Sequence, residues 1–154
     1  MTNGVAPPRR YDLLVLDYGG VCTMSHRELV DSPSDTPNAE RSECVPVILA
    51  AQALGMQVAV LSNEIDRAWV EHSPVLSQVD HVIPCGDNEV FKPDRRAYQR
   101  ALLVSRCTAE RALFVDDELD NVRGAQGAGL ATIRFDTGDP AGSWTAIDVA
   151  ISAT

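Results

Sequence analysis

Positive charge is scarce in this chain: Lys and Arg number 13 against 22 Asp and Glu, a net charge of −9. A surface of that average sign repels phosphate backbones and anionic lipid, which argues against nucleic acid or a membrane as partner. Long apolar runs are missing too. No stretch approaches the roughly 20 residues that a bilayer span needs, and the opening MTNGVAPPRR has no apolar run of the signal-peptide kind. The expected location is therefore cytoplasmic. The four cysteines, at 22, 44, 85 and 107, form no CxxC pair, so neither a zinc site nor a disulfide framework is indicated, and they read as reduced, mostly packed thiols. Internal repeats at a fixed period are absent as well.

What the 154 residues do contain is enough apolar material, 45%, to bury a core, beside an ordinary 23% of charged residues. The expectation is one domain over residues 11–154, preceded by a loose tail over residues 1–10 with two prolines and two arginines. Short continuous apolar runs that end in polar turns mark strands buried on both faces: 13–16 before Asp17-Tyr-Gly-Gly20, 58–61 before Ser62-Asn63, and 112–115 before Asp116-Asp117. Weaker copies lie at 81–85 and 131–135. Helical stretches fall between them, at Pro46–Leu54, about Ile65–His72, Asp94–Val104 and Leu119–Ala128, with a terminal one over Pro140–Ser152 that aligns Trp144, Ile147 and Ile151. Strand and helix in alternation predict an α/β fold, a doubly wound, Rossmann-like parallel sheet of about five strands with helices on both faces. Residues 23–39, rich in Ser, Asp and Pro, read as an irregular excursion.

In such a sheet ligands bind outside the carboxyl ends of the strands, where Asp17, Ser62, Asn63, Asp116 and Asp117 gather. Alternation along a strand predicts that Asp116 and Asp117 aim to opposite sides. Acidic groups converging at one edge repel unless a cation sits among them, and a hard divalent ion, Mg²⁺, is the simplest remedy. Lys92, in Phe91-Lys-Pro-Asp94 ahead of a helix, is placed to neutralise a carboxylate and an incoming phosphate. Ser62 adds a hydroxyl, and the backbone amides that follow it form an anion seat. Carboxylate, cation, hydroxyl and lysine together point to phosphoryl transfer.

These residues resemble the haloacid dehalogenase-like hydrolase superfamily. Its four motifs stand in order: Asp17-Tyr-Gly-Gly-Val21, Leu61-Ser-Asn63, Lys92, and Phe114-Val-Asp-Asp117 followed by Asn121-Val-Arg-Gly-Ala125, over roughly Tyr11 to Phe135. The resemblance implies that Asp17 is a nucleophile forming an aspartyl-phosphate, and that Asp17, the main-chain carbonyl of Gly19 and Asp116 bind Mg²⁺. It further implies that Ser62, Asn63 and Lys92 hold the phosphorylated substrate, with Asp117 just outside the metal's ligands.

Two departures qualify this. Phosphatases of the family mostly carry a second Asp two residues after the nucleophile, as acid and base; here Gly19 keeps the carbonyl and lacks that group, and general acid–base catalysis is commonly worth on the order of 10²- to 10⁴-fold. The segment 23–39 is also too short for a cap domain, so the site is expected to be open, suiting a large substrate, one presented by a partner, or a homo-oligomer in which a second subunit is the lid. The leading expectation is a nearly capless Mg²⁺-dependent phosphohydrolase acting on a phosphorylated small molecule or macromolecule. The alternative is a binding or regulatory protein that turns over little. A carbon–halogen hydrolase ranks third, because that chemistry needs no metal site and relies on a cap.

Overall fold

The computed structural model describes residues 8–32, 37–65 and 70–154. Five strands, β1 (Leu13–Leu16), β2 (Gln57–Ser62), β3 (His81–Pro84), β4 (Ala112–Asp116) and β5 (Ala131–Arg134), form one sheet in the order β3-β2-β1-β4-β5. Every pairing is parallel, with Leu16 opposite Val60 on one side and Val115 on the other. This is the doubly wound α/β sheet that the alternation predicts. Chain order runs outward from β1 in one direction and then resumes beside β1 in the other. The ends of β1 and β4 therefore flank the topological switch point, where such sheets open a crevice.

The central strands are apolar throughout because both faces are covered. Leu14, Leu16, Val58, Val60, Leu113 and Val115 point into one core with Ile48, Phe135, Trp144, Ile147 and Ile151. The intervening Leu13, Val15, Ala59, Leu61, Ala112 and Phe114 point into the other, with Tyr98 and Ala101. Phe114 is fully buried and meets Tyr98 edge to face at 5.3 Å, so truncating it to alanine removes about 3–5 kcal/mol.

The described helices include α1 (His26–Asp31), α2 (Cys44–Ala53), α3 (Pro74–Gln78), α4 (Arg95–Ser105), α5 (Leu119–Gly127) and α6 (Pro140–Ile151). Asp94 caps α4 by accepting from the Arg96 amide at 2.9 Å, and Asp139 caps α6 by accepting from Gly142 at 3.0 Å. None of the described helices is long and apolar enough to cross a membrane.

The structure changes several local expectations. The segment 23–39 is not merely irregular: α1 lies within it, started by a reciprocal cap in which Ser25 and Glu28 bond each other's backbone amides. The helix expected over Ile65–His72 falls largely on 66–69, outside the described residues, as does Trp69; Val70 is helical, and a further short helix, α3, follows at Pro74. Cys85 and Phe135 lie just beyond the strands to which they were assigned. Arg9 and Arg10, read as part of the tail, are tied down: Arg111 donates to the Arg9 carbonyl at 2.7 Å, and the Arg10 amide donates to Ala153 at 3.2 Å.

Candidate active site

The turn after β1 shapes the site. Asp17 accepts from the Tyr18 amide at 2.9 Å, and the chain then makes a wide loop closed by the Thr23 amide on the Tyr18 carbonyl at 3.0 Å. Within it Gly19 (φ −66°, ψ 126°) and Gly20 (φ 82°, ψ −21°) hold the two central positions of a type II turn. Only Gly20 needs glycine: its φ is positive, and a Cβ there would lie 2.5 Å from Asp117 Oδ2. Gly19 adopts an ordinary negative φ, open to any side chain.

Lys92 reaches across from the start of α4 to bind two carboxylates. Its ammonium donates to Asp17 Oδ1 at 2.9 Å and Asp116 Oδ2 at 2.8 Å and lies 5.5 Å from the Phe114 ring centre. Asn63 fixes the approach, accepting from the Lys92 amide at 2.9 Å and donating to the Lys92 carbonyl at 3.1 Å. Asn63, expected to hold substrate, thus spends its amide on placing Lys92. Asp116 also accepts from the Glu118 amide at 2.9 Å and from Asn121 Nδ2 at 3.1 Å.

The expectation that Asp116 and Asp117 aim apart is overturned. Carboxylate oxygens of Asp17, Asp116 and Asp117 all lie within 4.8 Å of one another. The reason is that β4 ends at Asp116, so Asp117 has left the strand and its side chain no longer obeys the pleat. Asp117 Oδ1 is buried with no hydrogen-bond partner.

This arrangement is electrostatically expensive. Burial drives the Asp17 carboxyl up to about 8; Lys92 opposes the rise and Asp116 and Asp117 add to it. Asp117 is raised by burial and by Asp116. Burial pulls the Lys92 ammonium down, but Asp17 and Asp116 outweigh it and hold the group above its ordinary value. Among three clustered carboxylates one fixed cation bonds two, and the third keeps an orphaned oxygen. That donor set, hard oxygens with a charge deficit, fits Mg²⁺.

Asp17, Gly19, Ser62, Asn63, Lys92 and Asp117 line a cavity of about 720 Å³, within the size range of small-molecule sites. The segment after β1 contributes a wall through Met24, Ser25, His26 and Leu29. Ser62 Oγ, buried, accepts from the Glu64 amide at 3.2 Å, which leaves its hydroxyl proton available to an anion.

No protein-family model matches the chain. Among solved structures it is similar to a predicted haloacid dehalogenase-like hydrolase from Porphyromonas gingivalis, with a TM-score of 0.73 and 17% identity, over 94% of this chain and 100% of that one. A second, from Bacteroides thetaiotaomicron, is an aspartate-to-alanine mutant of a family enzyme in complex with magnesium and inorganic phosphate; its TM-score is 0.68 at 15% identity, over 83% and 95% of the two chains. A third is the L-2-haloacid dehalogenase from Xanthobacter autotrophicus, with chloropropionic acid covalently bound (TM-score 0.64, 16% identity, 80% and 77% covered). The chain has the haloacid dehalogenase-like fold.

Within that fold, sequence reasoning overlooked four contributors to the cavity. Asn121 was quoted only as part of a motif, yet it orients Asp116. Glu64 and Glu118 line the cavity, and their position directly after assigned residues was the only available signal. Gly20, whose backbone makes room for Asp117, was legible as the second half of a Gly-Gly pair.

Proposed function

We propose that this haloacid dehalogenase-like protein is a Mg²⁺-dependent phosphohydrolase that works through an aspartyl-phosphate on Asp17. The observation that carries the reading is the cluster of three carboxylates, two of them bonded to Lys92 and the third, Asp117, with its Oδ1 buried and unpartnered. A carbon–halogen hydrolase, also represented among the similar structures, carries out its chemistry without a metal and so gives no reason for the charge deficit. Asp17, the Gly19 carbonyl and Asp116 would hold Mg²⁺, with Asp117 beside them; when bound, the ion supplies positive charge against the phosphate oxygens.

The chain's own residues do the rest. Asp17 attacks phosphorus as a carboxylate, the form that the Lys92 ammonium favours against burial. Ser62 donates its hydroxyl to a phosphoryl oxygen, and Lys92 adds charge to the same group. The substrate is a phosphate ester, carried on a small molecule or a macromolecule.

Hydrolysis of an aryl phosphate with and without Mg²⁺, in the wild type and in Asp17→Asn, tests this reading. Metal-dependent turnover that disappears in the variant is the expected result. A second reading rests on Gly19, which supplies no side-chain acid: a regulatory protein that binds metal and phosphate and turns over little. Tight Mg²⁺-dependent phosphate binding without turnover would favour it.

A further inference from the structure

We infer that Glu64 is the general acid and base of the reaction, a deduction that rests on the hydrolase reading. Attack by Asp17 expels the ester oxygen on the side of phosphorus away from Asp17, toward the solvent-facing part of the cavity, and that oxygen needs a proton. The carboxylates on the inner wall are committed: Asp17 and Asp116 share Lys92, and Asp117 faces them. Glu64 differs from them. It is exposed, it lines the same cavity, and its carboxylate has no hydrogen bond or ion pair among the described residues.

Its position is specific. A Cβ built on Gly19 would meet one non-adjacent heavy atom within 4 Å, Glu64 Oε2 at 3.7 Å. The space left open by the missing side chain two residues after the nucleophile is thus bordered by a carboxylate from the end of β2. The Glu64 amide is anchored on Ser62 Oγ at 3.2 Å, so the group that seats phosphate and the group that handles protons share one short turn. His26 lines the same cavity from α1.

In the first step an Asp17 oxygen forms a bond to phosphorus, and the phosphorus–ester oxygen bond breaks. The leaving oxygen keeps the electron pair and takes the proton of the Glu64 carboxylic acid, giving the alcohol and a Glu64 carboxylate. In the second, water attacks the phosphorus of the aspartyl-phosphate and passes a proton to that carboxylate. The bond to Asp17 breaks with its electrons returning to Asp17, which restores both carboxyl groups and releases inorganic phosphate.

The experiment compares wild type, Glu64→Gln, Glu64→Gln with Gly19→Asp, and Asp17→Asn at saturating Mg²⁺, on an alkyl phosphate and on 4-nitrophenyl phosphate. Because Glu64 is exposed, its variant is expected to fold normally, as circular dichroism will report. Glu64→Gln should slow the alkyl substrate on the order of 10²-fold. With 4-nitrophenyl phosphate, whose leaving group needs little protonation, it should retain a rapid first turnover and then accumulate phosphorylated Asp17. Gly19→Asp, unstrained at φ −66°, should restore much of the loss. Undiminished alkyl phosphate hydrolysis in Glu64→Gln, or an equal loss on both substrates without a burst or rescue, overturns the role of Glu64 and leaves the hydrolase reading standing. A wild type without metal-dependent turnover, or an Asp17→Asn variant that keeps it, overturns the hydrolase reading and this inference with it.

Discussion

Two buried polar groups lie on either side of the turn after β1, and they are built on opposite terms. On one side Glu40 accepts from the Tyr18 hydroxyl at 2.7 Å, from the Ser73 hydroxyl and from the Val75 amide at 3.1 Å. Beside it Arg41 makes two 2.8 Å bonds to Glu28, donates to the Val21 and Gly20 carbonyls, and stacks over Phe135. On the other side Asp17 and Asp116 share Lys92, while Asp117 lies against them with its Oδ1 unpartnered. Saturated networks hold a structure in place. A network left short of positive charge is costly in the folded protein and is stabilised by whatever supplies that charge. The turn is therefore fastened from one side and, on the proposed reading, primed for a ligand from the other.

The largest expected effect falls on the primed side. Asp17→Asn should lower kcat on the order of 10⁴-fold or more while the protein remains folded, because an amide cannot act as the nucleophile; steady-state assays with an aryl phosphate read this directly.

Next come two variants that separate the networks by their response to metal. Lys92→Met leaves buried carboxylates uncompensated and should cost about 3–5 kcal/mol of stability in denaturant titration, part of it recovered by millimolar Mg²⁺. Glu40→Leu removes the shared acceptor of the Tyr18 and Ser73 hydroxyls and the Val75 amide and should cost about 2–4 kcal/mol, with no more recovery by Mg²⁺ than the wild type shows. Equal rescue of both would erase the distinction between them.

Smaller again is the contrast between adjacent glycines. Gly20→Ala forces a side chain into φ 82° and against Asp117, for about 1–3 kcal/mol, whereas Gly19→Ala at φ −66° should shift the melting temperature little.

The smallest effect is one of pH. Burial alone would raise Glu28, but its bonds to Arg41 and Ser25 outweigh that and hold it at about 2, below the ordinary 4.5. A depressed carboxyl contributes stability above its unfolded value and loses it as pH falls, here between about 4.5 and 2. Glu28→Gln should therefore unfold more easily than the wild type at neutral pH, and the gap should close as the medium is acidified through that window.

Much of this was legible in the residues. The apolar runs at β1, β2 and β4 announce buried parallel strands, and the polar residues ending them mark the edge where Asp17, Ser62, Asp116 and Lys92 meet. Local signals for α1 and α3 were also present, the Ser25–Glu28 capping pair and Ser73 ahead of Pro74, but a Ser- and Pro-rich composition obscured the first. What could not be read were contacts made by tertiary structure alone. The aim of Asp117 depends on where β4 stops. Glu40 gains its partners from residues far along the chain, and Asn63 turns to the Lys92 backbone only once β2 and the start of α4 are side by side.

The most direct test of the central claim is to trap the intermediate. An aryl phosphate carrying labelled phosphorus is mixed with the protein and Mg²⁺, turnover is stopped with acid within milliseconds, and the peptides are mapped. The account predicts label on Asp17, formed only with Mg²⁺ and released by hydroxylamine as an acyl phosphate. Metal-dependent release of phosphate with no label on Asp17 at any time, or with label on another residue, would contradict it.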